Sequence, residues 1–314
     1  MRAAAELGIR SVAVHAEDDA RSLHVRRADE VRALRGSGPP AYLDAGALVA
    51  AARDAGCDAL HPGWGFLAES ADLARRCGAA GIAFVGPAPE TLELLGDKGR
   101  ARLHAERCGV PVLRGTSGPT SLEEARTFLA ALPPAGAMVI KALAGGGGRG
   151  LRVVRAGDDP AEAFARCASE ARAAFGQGEL YVEELLPGAR HVEVQVLGDG
   201  ASVAHLFERD CTLQRRHQKL VELAPAPGLD ADVRARLLEA ALALASALRY
   251  RSLGTFEFLV AAPDARPRFA FLEANPRLQV EHPVTEAVTG VDLVRAQLEL
   301  AGGRTLADLG LAAA

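Results

Sequence analysis

Five polar residues fall at every second position between Glu273 and Glu281: Glu273, Asn275, Arg277, Gln279 and Glu281, with His282 directly after them. They close the stretch GTFEFLVAAPDARPRFAFLEANPRLQVEHPVTE, residues 254–286. Upstream, residues 255–260 and 268–273 form two aromatic runs of β character, joined by a link containing Pro263, Asp264 and Pro267 that reads as a turn. Each run carries one carboxylate in apolar surroundings, Glu257 and Glu273. If the runs pair, these two converge across the hairpin. Because side chains alternate along a strand, Phe269, Phe271 and Glu273 are expected on one face. Two carboxylates and the amide of Asn275 make a hard-oxygen set suited to Mg²⁺, which takes a few protein oxygens and fills its shell with phosphate oxygens. With Arg277 and Glu281 a few residues on, this outlines a phosphoryl-transfer site.

The lysines point the same way. Of 36 basic residues only three are lysine, Lys98, Lys141 and Lys219, and a chain that otherwise uses arginine has placed a compact ammonium at three motif-like positions. Lys141 lies in an apolar strand pattern, 137–143, which runs into Ala144, Gly145, Gly146, Gly147, Gly148, Arg149 and Gly150 and then a second strand pattern, 151–154. This is neither GxxxxGK[ST] nor GxGxxG opening a helix. It reads as a flap whose backbone N–H groups approach phosphates unobstructed, the alternative being a glycine-rich linker. The strand 179–184 leads into Leu185 and Leu186, a candidate ledge for adenine. Residues 190–197 alternate strictly, with His191, Glu193 and Gln195 on one face and Val192, Val194 and Val196 on the other. The basic cluster from Arg209 to Lys219 lacks the interleaved aromatics of a nucleic-acid surface and fits a pocket for a small polyanion.

These residues need a scaffold. In residues 1–96 short strands at 11–15, 59–61 and 82–85 alternate with Ala-rich helical stretches at 43–55 and 68–77, a βαβ pattern on a parallel sheet. The loop HPGWGF, 61–66, lies where such sheets place ligands, though a structural turn explains it equally well. Lys98 opens a helix, Thr120 and Glu123 suggest a capping box for a helix reaching Leu132, Asp159 and Pro160 start another, and Gly176 stops it. Residues 230–250 form an amphipathic helix that serves as core packing. The chain has 49% hydrophobic and 24% charged residues and a net charge of −4, so it reads as globular rather than a nucleic-acid or membrane-surface binder. Its five cysteines include no CxxC pair, which suits a reducing, cytoplasmic compartment.

In combination, HPGWGF, the GDK at Lys98, IKALAGGGGRGLRVV, YVEELL, RHVEVQVL, ERDCTLQRRHQKLVELAPAP, GTFEFL and FLEANPRLQVEHPVTEAVTGVDL resemble the biotin carboxylase group of the ATP-grasp superfamily. The resemblance implies an α/β and α+β protein: a Rossmann-like βαβ domain over 1–96, then an ATP-grasp domain over 97–314 with a glycine-flap lid at about 113–185. It implies a ligase that uses ATP, Mg²⁺ (or Mn²⁺) and bicarbonate to carboxylate biotin on a carrier domain, through carboxyphosphate, with a carboxyltransferase and a second copy of the chain as further partners. Carried over by position, Lys98, Lys141, Gly147 and Gly148 contact the nucleotide. Glu183, Glu184, Leu185 and Leu186 form the adenine hinge, and His191, Gln214 and His217 the remaining nucleotide contacts. Glu257, Glu273 and Asn275 hold metal, and Glu257 and Glu273 reach ATP through it. Lys219, Arg277, Gln279 and Val280 (by its backbone) grip bicarbonate, and Glu281, kept ionised by Arg277 beside it, is the base.

Against the family pattern, the first strand is expected to be missing before Met1 and the C-terminal domain after Ala314, while Trp64 stands in place of tyrosine. An ATP-binding but catalytically incomplete chain, or another ATP-grasp carboxylate ligase, are the competing readings.

Overall fold

The computed structural model describes residues 1–311 except Ser117, 144–149, His217, Pro263 and Arg266, with Phe175 described in its backbone alone. Gly147, Gly148, His217 and Pro263, singled out above, therefore lie outside the described residues.

The N-terminal part runs α1 (Arg2–Glu6), β1 (Val12–His15), α2 (Leu23–Arg27), β2 (Glu30–Ala33), α3 (Ala45–Asp54), β3 (Ala59–Leu60), α4 (Ala71–Ala79), β4 (Ala83–Phe84) and α5 (Pro89–Gly96). Its strands pair in parallel, β1 with β2 and β3 with β4, as two separate two-stranded sheets. The expected βαβ character is present, and β2 is the strand that the sequence did not reveal. The run Glu30, Val31, Arg32, Ala33 does alternate, but it is only four residues long and its Val31 is exposed rather than directed into a core, so it gives little to mark it as a strand. At the end of β3, His61 joins this part to the rest of the chain. Gly63 N–H donates to its Nδ1 (3.0 Å), its Nε2 faces Gln297 Oε1 (2.9 Å), and Gln297 Nε2 donates to Val85 O (3.3 Å). The network fixes a neutral imidazole protonated at Nε2, and burial holds its pKa below the usual histidine value. A histidine depressed in the folded state stabilises above its unfolded pKa and loses that contribution as pH falls below about 6.5. Thermal melts are therefore expected to show a lower Tm at about pH 5.5 than at 7.5, and His61→Asn to shrink that difference.

Next come α6 (Lys98–Arg107), α7 (Leu122–Ala130), β5 (Ala137–Ala142), β6 (Leu151–Arg155), α8 (Ala161–Phe175) and β7 (Leu180–Glu184). The three strands form an antiparallel sheet ordered β6-β5-β7. Helices α7 and α8 cover one side of it through Ala125, Leu129, Cys167 and Ala171, which pack on Met138, Ile140 and Val182. The capping box of α7 is Ser121 with Glu124, one residue later than expected. Both pairs have the spacing, but only Ser121 stands directly before the first helical residue. Asp159 accepts from Ala161 N–H (3.2 Å), and Gly176 ends α8 in the left-handed region.

The largest sheet is built from β8 (Arg190–Asp199), β9 (Val203–Arg215), β10 (Gln218–Leu223), β11 (Arg251–Val260) and β12 (Phe269–Asn275), in the order β10-β9-β8-β11-β12 and antiparallel throughout. On one face Val192, Val194, Val196, Phe256, Phe258, Phe269 and Phe271 pack against α9 (Ala231–Ala247). Gly254 is required there, because a Cβ would sit 2.1 Å from the Tyr250 hydroxyl. The chain continues into α10 (His282–Thr289) and α11 (Leu293–Ala301). No helix among the described residues is long and apolar enough to cross a membrane.

Candidate active site

The polar face of the large sheet arises from register. Arg209 on β9 pairs with Glu193 on β8, Glu193 with Glu257 on β11, and Glu257 with Glu273 on β12, so four charged residues stand side by side across four strands. Gln195, Thr255 and Asn275 form the adjoining row. The hairpin of β11 and β12 thus opposes Glu257 and Glu273 as expected. The expectation that Glu273 shares a face with Phe269 and Phe271 is corrected. Glu257 pairs with Glu273 but Phe258 pairs with Phe271, so Leu272 is an extra residue on β12. This bulge turns Glu273 away from the core, since a one-residue slip reverses the face of every later residue in the strand.

Three adjacent glutamates on a largely buried face require cations, and Lys219 and Lys98 supply them. Lys219 Nζ donates to Glu193 (2.5 Å), Glu257 (2.9 Å) and Glu281 (2.7 Å). Burial alone would depress the Lys219 pKa, but Glu257 and Glu193 outweigh it and hold it above the ordinary lysine value. Burial likewise works against an ionised Glu257, yet Lys219 and His191 hold its carboxyl well below the usual range. His191 Nε2 lies 2.6 Å from Glu257 Oε2, Gln214 Nε2 donates to His191 Nδ1 (2.8 Å), and Asn275 Nδ2 donates to Glu257 Oε1 (2.7 Å). Lys98 Nζ lies 3.3 Å from Glu273 Oε2. Lys141 is bonded to Glu183, whose other oxygen takes Arg102 (2.5 Å). Glu184 N–H donates to Arg114 O and Leu185 N–H to Ala137 O, both at 2.8 Å, which fixes the strand end carrying Leu186.

Two sequence expectations change here. The cation bonded to Glu281 is Lys219, not Arg277. The Arg277 guanidinium turns the other way, to Glu69 (2.6 Å), Gln279 Oε1 (2.9 Å) and Asn275 Oδ1 (3.1 Å), because α10 begins at His282 and carries Glu281 toward β10. Nor do Arg209 to Lys219 line one basic pocket. Arg209 is wholly buried against Glu193, Arg215 and Arg216 are exposed, and Lys219 bonds Glu193, Glu257 and Glu281. Gln279 is buried, with no partner for its Nε2 among the described residues, while Val280 is 60% exposed.

Glu193, Glu69, Arg102 and Arg209 take part without having been singled out as site residues. Glu193 had a signal, a carboxylate on the polar side of an alternating strand. So did Arg102, which is one helical turn from Lys98. Glu69 had none, being brought in by the tertiary fold alone. The carboxylates suit a hard divalent cation by chemistry and charge. Asn275 presents its amide nitrogen to Glu257, so ligation by its oxygen requires the amide to turn.

Known proteins are similar to this chain in both fold and sequence. Residues 97–309 match the family model for the carbamoyl-phosphate synthase L chain, ATP binding domain, and residues 1–92 that for the biotin carboxylase N-terminal domain. The chain is 49% identical to a pyruvate carboxylase of Aspergillus terreus over 99% of its own length, and 47% identical to that of Bacillus subtilis over 97%. It spans 26% of the length of each of these relatives. Among solved structures, it is similar to a biotin carboxylase–β,γ-ATP complex from Campylobacter jejuni (TM-score 0.92, 41% identity, 97% of this chain and 68% of that one). It is also similar to the biotin carboxylase domain dimer of the Hydrogenobacter thermophilus 2-oxoglutarate carboxylase, in complex with MgADP, ADP and bicarbonate (TM-score 0.90, 41% identity, 97% of this chain and 67% of that one).

Proposed function

Since this chain belongs to the biotin carboxylase family, we propose that it catalyses the ATP- and bicarbonate-dependent carboxylation of biotin held on a carrier domain. One observation carries the reading. A single ammonium, Lys219, bonds both Glu257 of the proposed metal pair and Glu281, the proposed base. The phosphate end and the bicarbonate end of the site therefore meet at one fixed positive charge.

The roles follow from chemistry. Glu257, Glu273 and, once its amide has turned, Asn275 would hold Mg²⁺, which when bound neutralises charge on the ATP phosphates. Lys98 stands at Glu273 as a second positive charge for those phosphates, and Lys141 beside Glu183 serves the adenine side. Glu183 to Leu186 form the hinge, with Gly147, Gly148, His191, Gln214 and His217 as the further nucleotide contacts. The orphaned Gln279 amide, the Arg277 guanidinium, Lys219 and the Val280 backbone together suit a small planar oxyanion. Glu281 takes the bicarbonate proton, and the resulting nucleophile attacks the γ-phosphate, breaking its bond to the β-phosphate so that ADP leaves and carboxyphosphate forms. Such transfer depends on positioning and charge neutralisation, which a cluster of fixed cations supplies. We assign residues 1–96 to the N-terminal domain and 97–314 to the ATP-grasp domain, with its lid at about 113–185. The companions would be a biotin carrier domain, a carboxyltransferase and a second copy of the chain. The five cysteines are all free thiols, in keeping with a reducing cytoplasm.

The test is ADP release from MgATP, with and without bicarbonate and free biotin. Stimulation by both is the expected result. Nucleotide binding without bicarbonate-dependent release would mark a catalytically incomplete chain. Stimulation by another carboxylic acid in place of bicarbonate would mark a different ligase.

A further inference from the structure

Arg209 is the largest completely buried side chain among the described residues, and none of the roles above uses it. Its guanidinium makes four hydrogen bonds to three different elements. Nε donates to Glu193 Oε1 (2.6 Å) and Nη1 to Gln195 Oε1 (2.9 Å), both on β8. Nη1 also donates to Thr285 Oγ1 (2.7 Å) on α10, and Nη2 to Thr255 Oγ1 (3.3 Å) on β11. The Gln195 amide is oriented by its own bond to Gly254 O (2.9 Å), so its carbonyl oxygen faces the guanidinium.

Burying a charged pair where apolar side chains would pack as well is weak evidence of a contribution to stability. What this arginine does is geometric. From Glu193 the path runs directly to Lys219, which bonds the other oxygen of that carboxylate (2.5 Å). From Thr285 it runs one helical turn back along α10 to its N-cap, Glu281. Lys219 and Glu281 come from strand β10 and from the residue before α10, and they meet at 2.7 Å. Arg209 bonds the supports of both. Only a planar fork with several fixed N–H directions can reach a carboxylate, an amide and a hydroxyl at once, which a lysine ammonium cannot reproduce.

We infer that Arg209 is a positioning residue that holds the two halves of the proposed bicarbonate site, Lys219 and Glu281, in register through Glu193 and Thr285. The inference rests on the reading of Lys219 and Glu281 as that site. Its effect belongs to the bicarbonate end, because Arg209 bonds neither Lys98, Lys141 nor the hinge.

The experiment is a bicarbonate titration and an ATP titration of ADP release for the parent protein, Thr285→Val and Arg209→Lys. Thr285→Val keeps the shape and removes only the acceptor on α10. It is expected to raise KM for bicarbonate about 5- to 20-fold while KM for ATP stays within about twofold, since a small misplacement of reacting groups is costly. Arg209→Lys is expected to raise it further. If Arg209→Lys does not fold, Thr285→Val carries the test. Equal rises in both KM values, or a lower Tm with both KM values unchanged, would overturn the inference. Glu281→Gln, measured in parallel, separates the two claims: if it leaves bicarbonate dependence intact, the site assignment itself is wrong.

Discussion

Glu281→Gln should lower bicarbonate-dependent ATP cleavage by at least about 100-fold, the usual contribution of a positioned general base, while nucleotide affinity stays within about threefold. The carboxylate is largely buried, at 9% exposure, and it accepts a hydrogen bond from Lys219. Glutamine preserves the size and one acceptor oxygen, so the bond from Lys219 can persist and the fold should hold. What it cannot do is accept a proton. The nucleotide contacts proposed above do not involve Glu281, so binding measured by calorimetry is expected to survive the substitution. A variant that loses both nucleotide affinity and turnover would point to local collapse. One that keeps turnover would remove Glu281 from the role of base.

Replacing Lys219 by methionine should have the largest effect on stability. The ammonium is the shared partner of Glu193, Glu257 and Glu281, none more than 9% exposed. Removing it strands negative charge in a poorly solvated row, and breaking a buried pair by deleting one member costs about 3–5 kcal/mol. Arg209 still neutralises Glu193 and His191 still faces Glu257, so the lower end of that range is expected. A fall in Tm of about 5–10 °C is expected, with loss of bicarbonate-stimulated turnover. The double variant Lys219→Met/Glu281→Gln should recover part of the stability, since Glu281, the carboxylate that loses its bonded cation, no longer carries a charge. No recovery of Tm would show that the stranded charge is not what destabilises the single variant. An unchanged Tm in the single variant would show that the three carboxylates are not held as described.

The sequence was most informative where a pattern is local. Alternation in 190–197 correctly separated His191, Glu193 and Gln195 from the valines that enter the core. The pairing of Glu257 with Glu273 was legible from two aromatic runs and a turn. The three lysines, rare enough to be conspicuous, all proved to lie against carboxylates. What it did not reveal depends on register and tertiary approach. The bulge at Leu272 decides which way Glu273 faces, and nothing in FAFLEAN marks which residue is extra. Arg209 read as one more member of a basic run because burial of an arginine is decided by four acceptors on three other segments. Arg277 was expected beside Glu281 because they are near in sequence. The chain between them turns instead, so that one faces Glu69 and the other Lys219.

The central claim is that bicarbonate itself attacks the γ-phosphate of ATP in this site, and oxygen transfer tests it most directly. With ¹⁸O-labelled bicarbonate in unlabelled water, attack by a bicarbonate oxygen must leave that oxygen on phosphorus when carboxyphosphate breaks down. Mass spectrometry of the inorganic phosphate is therefore expected to show one ¹⁸O per phosphate released in the bicarbonate-dependent reaction. Phosphate carrying only solvent oxygen would mean that water is the nucleophile, and would contradict the account.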